Sequence, residues 1–320
     1  MNAKNALAAT NRKSRTIRFV SDPSLFFLAL TLLVILIIYP DKVSQSIREA
    51  LLRCVGSLIP VLFPISVLSS LLASLKASDL LRKALGTPVS IIFGVSKDSA
   101  PAVILGMLCG FPVGASYART LYERSCISKA EYEKLISVSS LPSPAFVLNV
   151  LGKSMLKCRL SGFLVLACVL LSNITVSQLF RSKEEKLSFM PRKEKQNLGA
   201  SVSKALTNAA SAMLNIVACV VFFSALTSLI PDKTPPAMKA FISGVLEFSQ
   251  GCKNAVDTYS VNALPFCAAF LSYGGLSVNF QIMSVCGNEI SYKKYFLISV
   301  LRALVSFLLS FAVNIIIFDI

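Results

Sequence analysis

Residues 100–114 read Ala100-Pro-Ala-Val-Ile-Leu-Gly-Met-Leu-Cys-Gly110-Phe111-Pro112-Val113-Gly114. The run is apolar enough for a membrane interior, yet shorter than the ~20 residues a full crossing needs. It ends in a turn signal. Two glycines permit a tight reversal and close backbone approach, and Pro112 suits a turn or a helix start. Non-helical backbone at membrane depth must be buried in protein or line a cavity. The stretch therefore predicts a re-entrant hairpin with its tip at Gly110–Gly114. A second short run, Ala263–Val278, ends in Tyr273-Gly274-Gly275-Leu276-Ser277 and predicts a second one.

The rest of the chain agrees with a membrane setting. Of its 320 residues, 54% are hydrophobic and 15% charged, and the mean hydropathy is +0.69. Soluble domains carry about 25% charged residues, so an ordinary soluble enzyme and a disordered chain are both excluded. Longer apolar stretches lie at 25–39, 54–75, 135–151, 160–180, 209–230 and 295–317. The expectation is an all-α membrane protein with about six spanning helices plus two re-entrant hairpins. The basic N-terminal segment, residues 1–23, precedes the first stretch. Pro40-Asp41-Lys42 follows that stretch with no small-residue cleavage signal, so it is expected to stay as a membrane helix.

The net charge of +16 would suggest nucleic acid in a soluble protein. In a polytopic one it reflects cytoplasmic loops rich in Lys and Arg, so no nucleic-acid partner is expected. With the N-terminus inside, segments 1–23, 76–98, 119–134 and 181–204 hold twenty Lys and Arg. Segments 41–53, 153–159, 231–258 and 288–294 hold eleven. The bias predicts both termini inside.

There is no His, which removes His-dependent catalysis and His-metal sites. The nine Cys are scattered without a CxxC pair and are expected to be small packing residues. No enzyme activity, cofactor or metal is expected.

Two segments align at an offset of 155, Glu49–Leu58 on Lys204–Met213, and others at 162–164, with Gly110 on Gly274 and Ile127-Ser128 on Ile290-Ser291. The order span, span, glycine-tipped hairpin, Ile-Ser, span occurs twice. Basic block 12–18 precedes the first span of one half and block 181–195 follows the first span of the other, so the halves are expected to be inverted. We divide the chain into 24–155 and 156–320, the second half holding the cytoplasmic loop 181–198. Inverted repeats with broken helices meeting near the midplane mark secondary transporters.

Candidate ligand contacts follow from the breaks. Gly110, Phe111, Pro112 and Gly114 precede a helix whose N-terminus presents free N–H groups, a ready anion site. Ser137-Val-Ser-Ser-Leu-Pro-Ser-Pro144 reads as a discontinuous span lined by Ser139, Ser140 and Ser143, because the residue before each Pro is pushed out of the helix. In the second half Gly274, Gly275, Ser277, Asn279 and Gln281 are the counterparts. Asn and Gln both donate and accept. Pro60 and Pro64 interrupt the second span, and Asn215 falls opposite Pro60. Arg302 is expected to snorkel to the interface. Asn173-Ile174-Thr175 matches a glycosylation pattern but lies inside a span and is set aside.

Gly110–Gly114, Ile127-Ser128-Lys129 with Glu131, Tyr273–Gln281 and Ile290-Ser291-Tyr292-Lys293 together resemble the sporulation integral membrane protein family, which carries the nucleoside-recognition (Gate) domain. The resemblance covers about residues 24–317. It implies a multi-pass protein of the outer forespore membrane of an endospore-forming bacterium, moving dipicolinic acid from mother cell toward forespore. Implied partners are a small-molecule anionic substrate and membrane lipid. A homo-oligomer or other spore membrane transport proteins are left open. Competing readings are a Gate-domain carrier of nucleosides or another small metabolite, and a non-transporting scaffold for spore maturation. Where the family shows an Asn-Ser-Gly-Pro-like break, this chain has Ser139–Pro144.

Overall fold

The computed structural model describes residues 23–74, 77–180 and 198–318. Basic blocks 12–18 and 181–195 fall outside the described residues. All regular structure among the described residues is helical.

Helix α1 (Pro23–Ile38) leads into α2 (Pro40–Arg53), which opens with Pro at its first position. Pro60 cannot supply the N–H that the next turn requires. The chain answers with a π turn over Cys54–Leu58, where Ile59 N–H reaches back to Cys54 O, and continues as α3 (Ile59–Ser74). Helix α4 (Ala77–Phe93) follows, and the helical stretch after it is turned by 109°.

Helices α5 (Ala100–Cys109) and α6 (Val113–Glu123) fold back on each other as a hairpin. Gly110 turns the tip with φ 77°, and the Phe111–Pro112 peptide is cis. Gly106 and Gly114 flank the tip, and a Cβ on Gly114 would stand 2.7 Å from Gly106 Cα. Helix α7 (Lys129–Ser139) is capped by Ser128, whose Oγ accepts from Glu131 N–H at 3.3 Å. The Glu131 carboxylate accepts from Ser96 N–H and Ser99 Oγ, both at 2.6 Å, and fixes the hairpin base. After a break at 140–145 the chain resumes as a π-helical segment, Phe146–Met155.

The second half runs α8 (Arg159–Leu179), α9 (Leu198–Thr227), α10 (Pro236–Leu246), α11 (Phe248–Tyr259), α12 (Leu264–Tyr273), α13 (Gly275–Cys286) and α14 (Tyr292–Phe318). Its hairpin is not where the glycine-rich turn predicts it. Helices α10 and α11 fold back on each other round Glu247. A Cβ on Gly251 would overlap Gly244, and Asn254 Nδ2 donates to Ser243 Oγ at 2.9 Å across the pair. Helices α12 and α13 are joined by left-handed Gly274 (φ 80°), and α13 packs on α9, α6 and α10. The Ala263–Val278 run thus carries the break of a longer segment, α12 followed by α13. Small residues allow the α10–α11 reversal, while the Gly274-Gly275 pair supplies two consecutive positive-φ positions in a through-going segment.

Contacts between loops sort the two ends. Lys42 is ion-paired with Asp232, and Ser46 Oγ donates to Ser224 O at 2.7 Å. At the other end Asn208 Nδ2 donates to Ser70 Oγ at 3.3 Å. There too Lys134 Nζ donates to Gly94 O at 2.6 Å, and Ser291 N–H to Glu133 Oε1 at 3.2 Å. The last bond corrects one expectation: segment 288–294 shares an end with 119–134. Helix α14 starts at the 119–134 end and runs to the opposite one, so the end of this helix lies across from that segment rather than on its side as expected.

Five helical stretches are long and apolar enough to cross a membrane, or six if the bent pair Asp79–Phe93 and Lys97–Cys109 counts as one. Outward faces carry exposed Leu68, Ile91, Leu214, Leu308 and Ile316. With these lipid-ready faces the chain is a multi-pass integral membrane protein. The nine cysteines are free thiols.

Candidate functional site: a cavity where two hairpins and two broken spans meet

The first break is held by side chains that replace two of its missing backbone hydrogen bonds. Pro142 and Pro144 each leave a carbonyl four residues back without its helical donor. Val138 O receives Asn173 Nδ2 at 3.0 Å, and Ser140 O receives Arg302 Nη1 at 3.0 Å. Arg302 also donates to Ser137 O at 2.5 Å, Asn173 Oδ1 at 3.3 Å and Ser299 Oγ at 3.2 Å. It is 1% exposed, so it does not snorkel to the interface. Its stem lies mid-helix against the break, where carbonyl oxygens reward a buried guanidinium. Among the described residues no carboxylate pairs with it.

The second break is held by Asn279, whose Nδ2 donates to Gly275 O at 2.5 Å and toward Tyr273 O at 3.4 Å. Gly275 lies under the second hairpin tip: a Cβ there would stand 3.0 Å from Phe248 N and 3.3 Å from Glu247 Cα. A Cβ on Gly274 would stand 3.5 Å from Phe111 Cζ, so the first tip touches the second break.

All four irregular elements line one small cavity of about 40 Å³. Gly110 and Phe111 come from the first tip, Glu247, Phe248 and Ser249 from the second, Pro142 and Ser143 from the first break, and Val278 and Gln281 from α13. Phe111, Phe248 and Phe146 form an aromatic chain across it, with ring centroids 6.1 and 5.3 Å apart. A volume this small holds a few waters and no ring-bearing solute.

Wider cavities flank it along α3. Toward the end expected to be cytoplasmic, Ser66, Ser69, Ser70, Pro112, Ser116, Thr120, Asn208, Ser211 and Asn215 line about 410 Å³. Toward the end expected to be outer, Arg53, Ser57, Ser154, Lys157, Ser249, Lys253 and Asp257 line about 360 Å³. From Ser57 to Ser70 is about 20 Å of helix at 1.5 Å per residue. The three spaces form a line, wide at both ends and narrow between the tips.

The predicted contacts therefore divide. Gly110, Phe111, Ser143 and Gln281 border the central cavity, and Pro112 borders the cytoplasmic one. Gly114 does not turn the chain; its missing Cβ leaves room for Ser139 O and Gly106. Ser139 and Ser277 are buried without a hydroxyl partner, and Ser140 Oγ donates to Ile136 O at 2.6 Å. Asn279 is occupied by its own backbone. Sequence reasoning missed Glu247, Phe248 and Ser249; the pair Gly244 and Gly251, spaced about the turn as Gly106 and Gly114 are, was the available signal.

Glu247 places an acidic residue at the second tip. It is fully buried, and its carboxylate accepts from Ser249 N–H at 3.1 Å, Ser249 Oγ at 2.6 Å and Gln250 N–H at 2.8 Å.

With this geometry in view, a curated relative can be compared. The chain is similar to the sporulation integral membrane protein YlbJ of Bacillus subtilis (strain 168). They are 24% identical over 321 aligned residues, covering 87% of this chain and 78% of that protein. The similarity supports the sporulation membrane family that the motifs pointed to. No protein-family model matches the chain, and no solved structure matches it.

Proposed function

We propose that the chain is a secondary transporter that carries a small planar dicarboxylate, dipicolinic acid, across the outer forespore membrane, and that it performs no catalysis. One observation carries the reading: two hairpin tips and two broken spans converge on a single constriction between two wider cavities. Broken helices meeting near the midplane are how secondary transporters build a site that each side reaches in turn.

The lining suits an anion. The outer cavity carries three basic residues, Arg53, Lys157 and Lys253, against one acid, Asp257. The cytoplasmic cavity is rich in hydroxyls and amides and borders the N-terminus of α6, which no side chain caps. Its volume falls within the range of small-molecule sites. Similarity to a sporulation membrane protein supports dipicolinate among small dicarboxylates.

The buried Glu247 favours a second reading, a carrier of neutral nucleosides, which bring hydroxyl and amide donors to a carboxylate. Counterflow separates the two. Vesicles holding the purified chain and preloaded with dipicolinate should take up labelled dipicolinate, and those preloaded with uridine should not. Labelled uridine exchange without dipicolinate exchange would select the nucleoside carrier.

A further inference from the structure

We infer that Glu247 is the proton-binding group of the transport cycle, and that its own carboxylate occupies the cradle that a substrate carboxylate takes when Glu247 is protonated. The inference rests on the dicarboxylate reading above.

The cradle is the reversal between α10 and α11. Ser249 N–H, Ser249 Oγ and Gln250 N–H converge on the Glu247 oxygens within 2.6–3.1 Å. These donors open the twelve-residue helix α11, whose N-terminus favours negative charge. Glu247 and Ser249 both line the central cavity, and no Lys or Arg lines it. The titratable groups near the carboxylate are Cys54 from the π turn and Cys252 on its own helix, and Cys109 from α5 lines the same cavity. Arg53, next to Cys54 in the chain, lines the outer cavity together with Lys157 and Lys253. Among the described residues Glu247 has no ion pair.

When the tips part to admit it, a dicarboxylate reaching the constriction would meet a fixed carboxylate in a largely apolar space. Like charges there cannot both stay ionised, and an unpaired buried charge is costly. A proton from the adjoining water resolves the conflict. It binds a Glu247 oxygen and removes the negative charge that the cradle donors hold. Those donors are then free for one substrate carboxylate. On release the proton leaves, and Glu247 returns to the cradle. The empty carrier is thereby closed by a tethered mimic of its own cargo, and each dicarboxylate travels with a proton.

The test uses vesicles holding the full chain, a trapped pH-sensitive dye and labelled dipicolinate. Between about pH 6 and 8 the free dicarboxylate stays doubly charged, so any pH dependence belongs to the protein. Wild-type uptake should rise as outside pH falls, by at most tenfold per unit for one required proton, and the dye should report acid entering with the label. Glu247→Gln mimics the uncharged, protonated side chain and cannot exchange a proton. It should exchange dipicolinate at a rate independent of pH and without acid entry. The wild-type dye signal tests the idea even where the variant does not fold. Wild-type uptake without acid entry, or Glu247→Gln with an unchanged pH profile, overturns the inference while leaving transport standing. No wild-type dipicolinate uptake at all overturns the transport reading, and this inference with it.

Discussion

Arg302 Nη1 donates to the carbonyl of Ser140 at 3.0 Å, the group that Pro144 deprives of its helical partner. A residue on α14 thus completes the backbone of a broken span 162 positions earlier. The same guanidinium reaches Ser137 O and Asn173 Oδ1, so one side chain joins α7, α8 and α14 at the break.

Arg302→Met should therefore destabilise the fold. It leaves Ser137 O and Ser140 O buried without donors, at about 1–3 kcal/mol per group. Arg302→Lys should recover only part of this, since an ammonium lacks the planar fork that serves several acceptors. Thermal unfolding of the detergent-purified protein checks both. A midpoint for Arg302→Met equal to wild type would remove the arginine from the support of the break.

Asn173→Ala should cost about 1–3 kcal/mol by freeing Val138 O. Its effect should not add to that of Arg302→Met, because the two side chains bond each other and share one break. A double-mutant cycle on unfolding midpoints reads the coupling; strict additivity would mean that the two supports act independently.

Gly114→Ala should disrupt the first hairpin, since the new Cβ meets the Gly106 backbone and Ser139 O. Gly287→Ala is the matched control. It has φ 60° and ψ −156° with open space around it, so it should cost only the backbone strain of a glycine-type conformation, on the order of 1–3 kcal/mol, with no clash. Yields of folded, monodisperse protein should fall far more for the first than the second.

Gln281 and Asn279 should separate binding from folding. Gln281 borders the central cavity, whereas the Asn279 amide is spent on the backbone of its own break. Gln281→Ala should weaken dipicolinate binding roughly tenfold, the equivalent of about 1.4 kcal/mol, at unchanged stability. Asn279→Ala should lower stability first. The reverse pattern in unfolding scans with and without dipicolinate would contradict these assignments.

The membrane class, the broken span at Ser139–Pro144 and the first hairpin were legible in the sequence. Prolines and glycines fix local backbone options wherever they stand. The second hairpin was not legible, because Glu247 looks like a loop residue and its reversal rests on Gly244 meeting Gly251, a contact between positions rather than a motif. Arg302 and Asn173 were misread for a related cause. Their partners are orphaned carbonyls on distant helices, and the sequence shows the prolines that create the orphans but not which side chain reaches them. The sidedness of 288–294 turned on one backbone bond to Glu133.

The central claim is that the line of cavities along α3 is one route, closed between the tips. In a chain whose nine native cysteines are replaced by serine, Ser57→Cys and Ser66→Cys place single thiols in the outer and cytoplasmic cavities. Membrane-impermeant thiol reagent applied to sealed vesicles of known orientation measures the side from which each is reached. The two positions should label from opposite faces, and dipicolinate should slow both reactions. Labelling of both from the same face, or rates that dipicolinate leaves unchanged, would contradict the account.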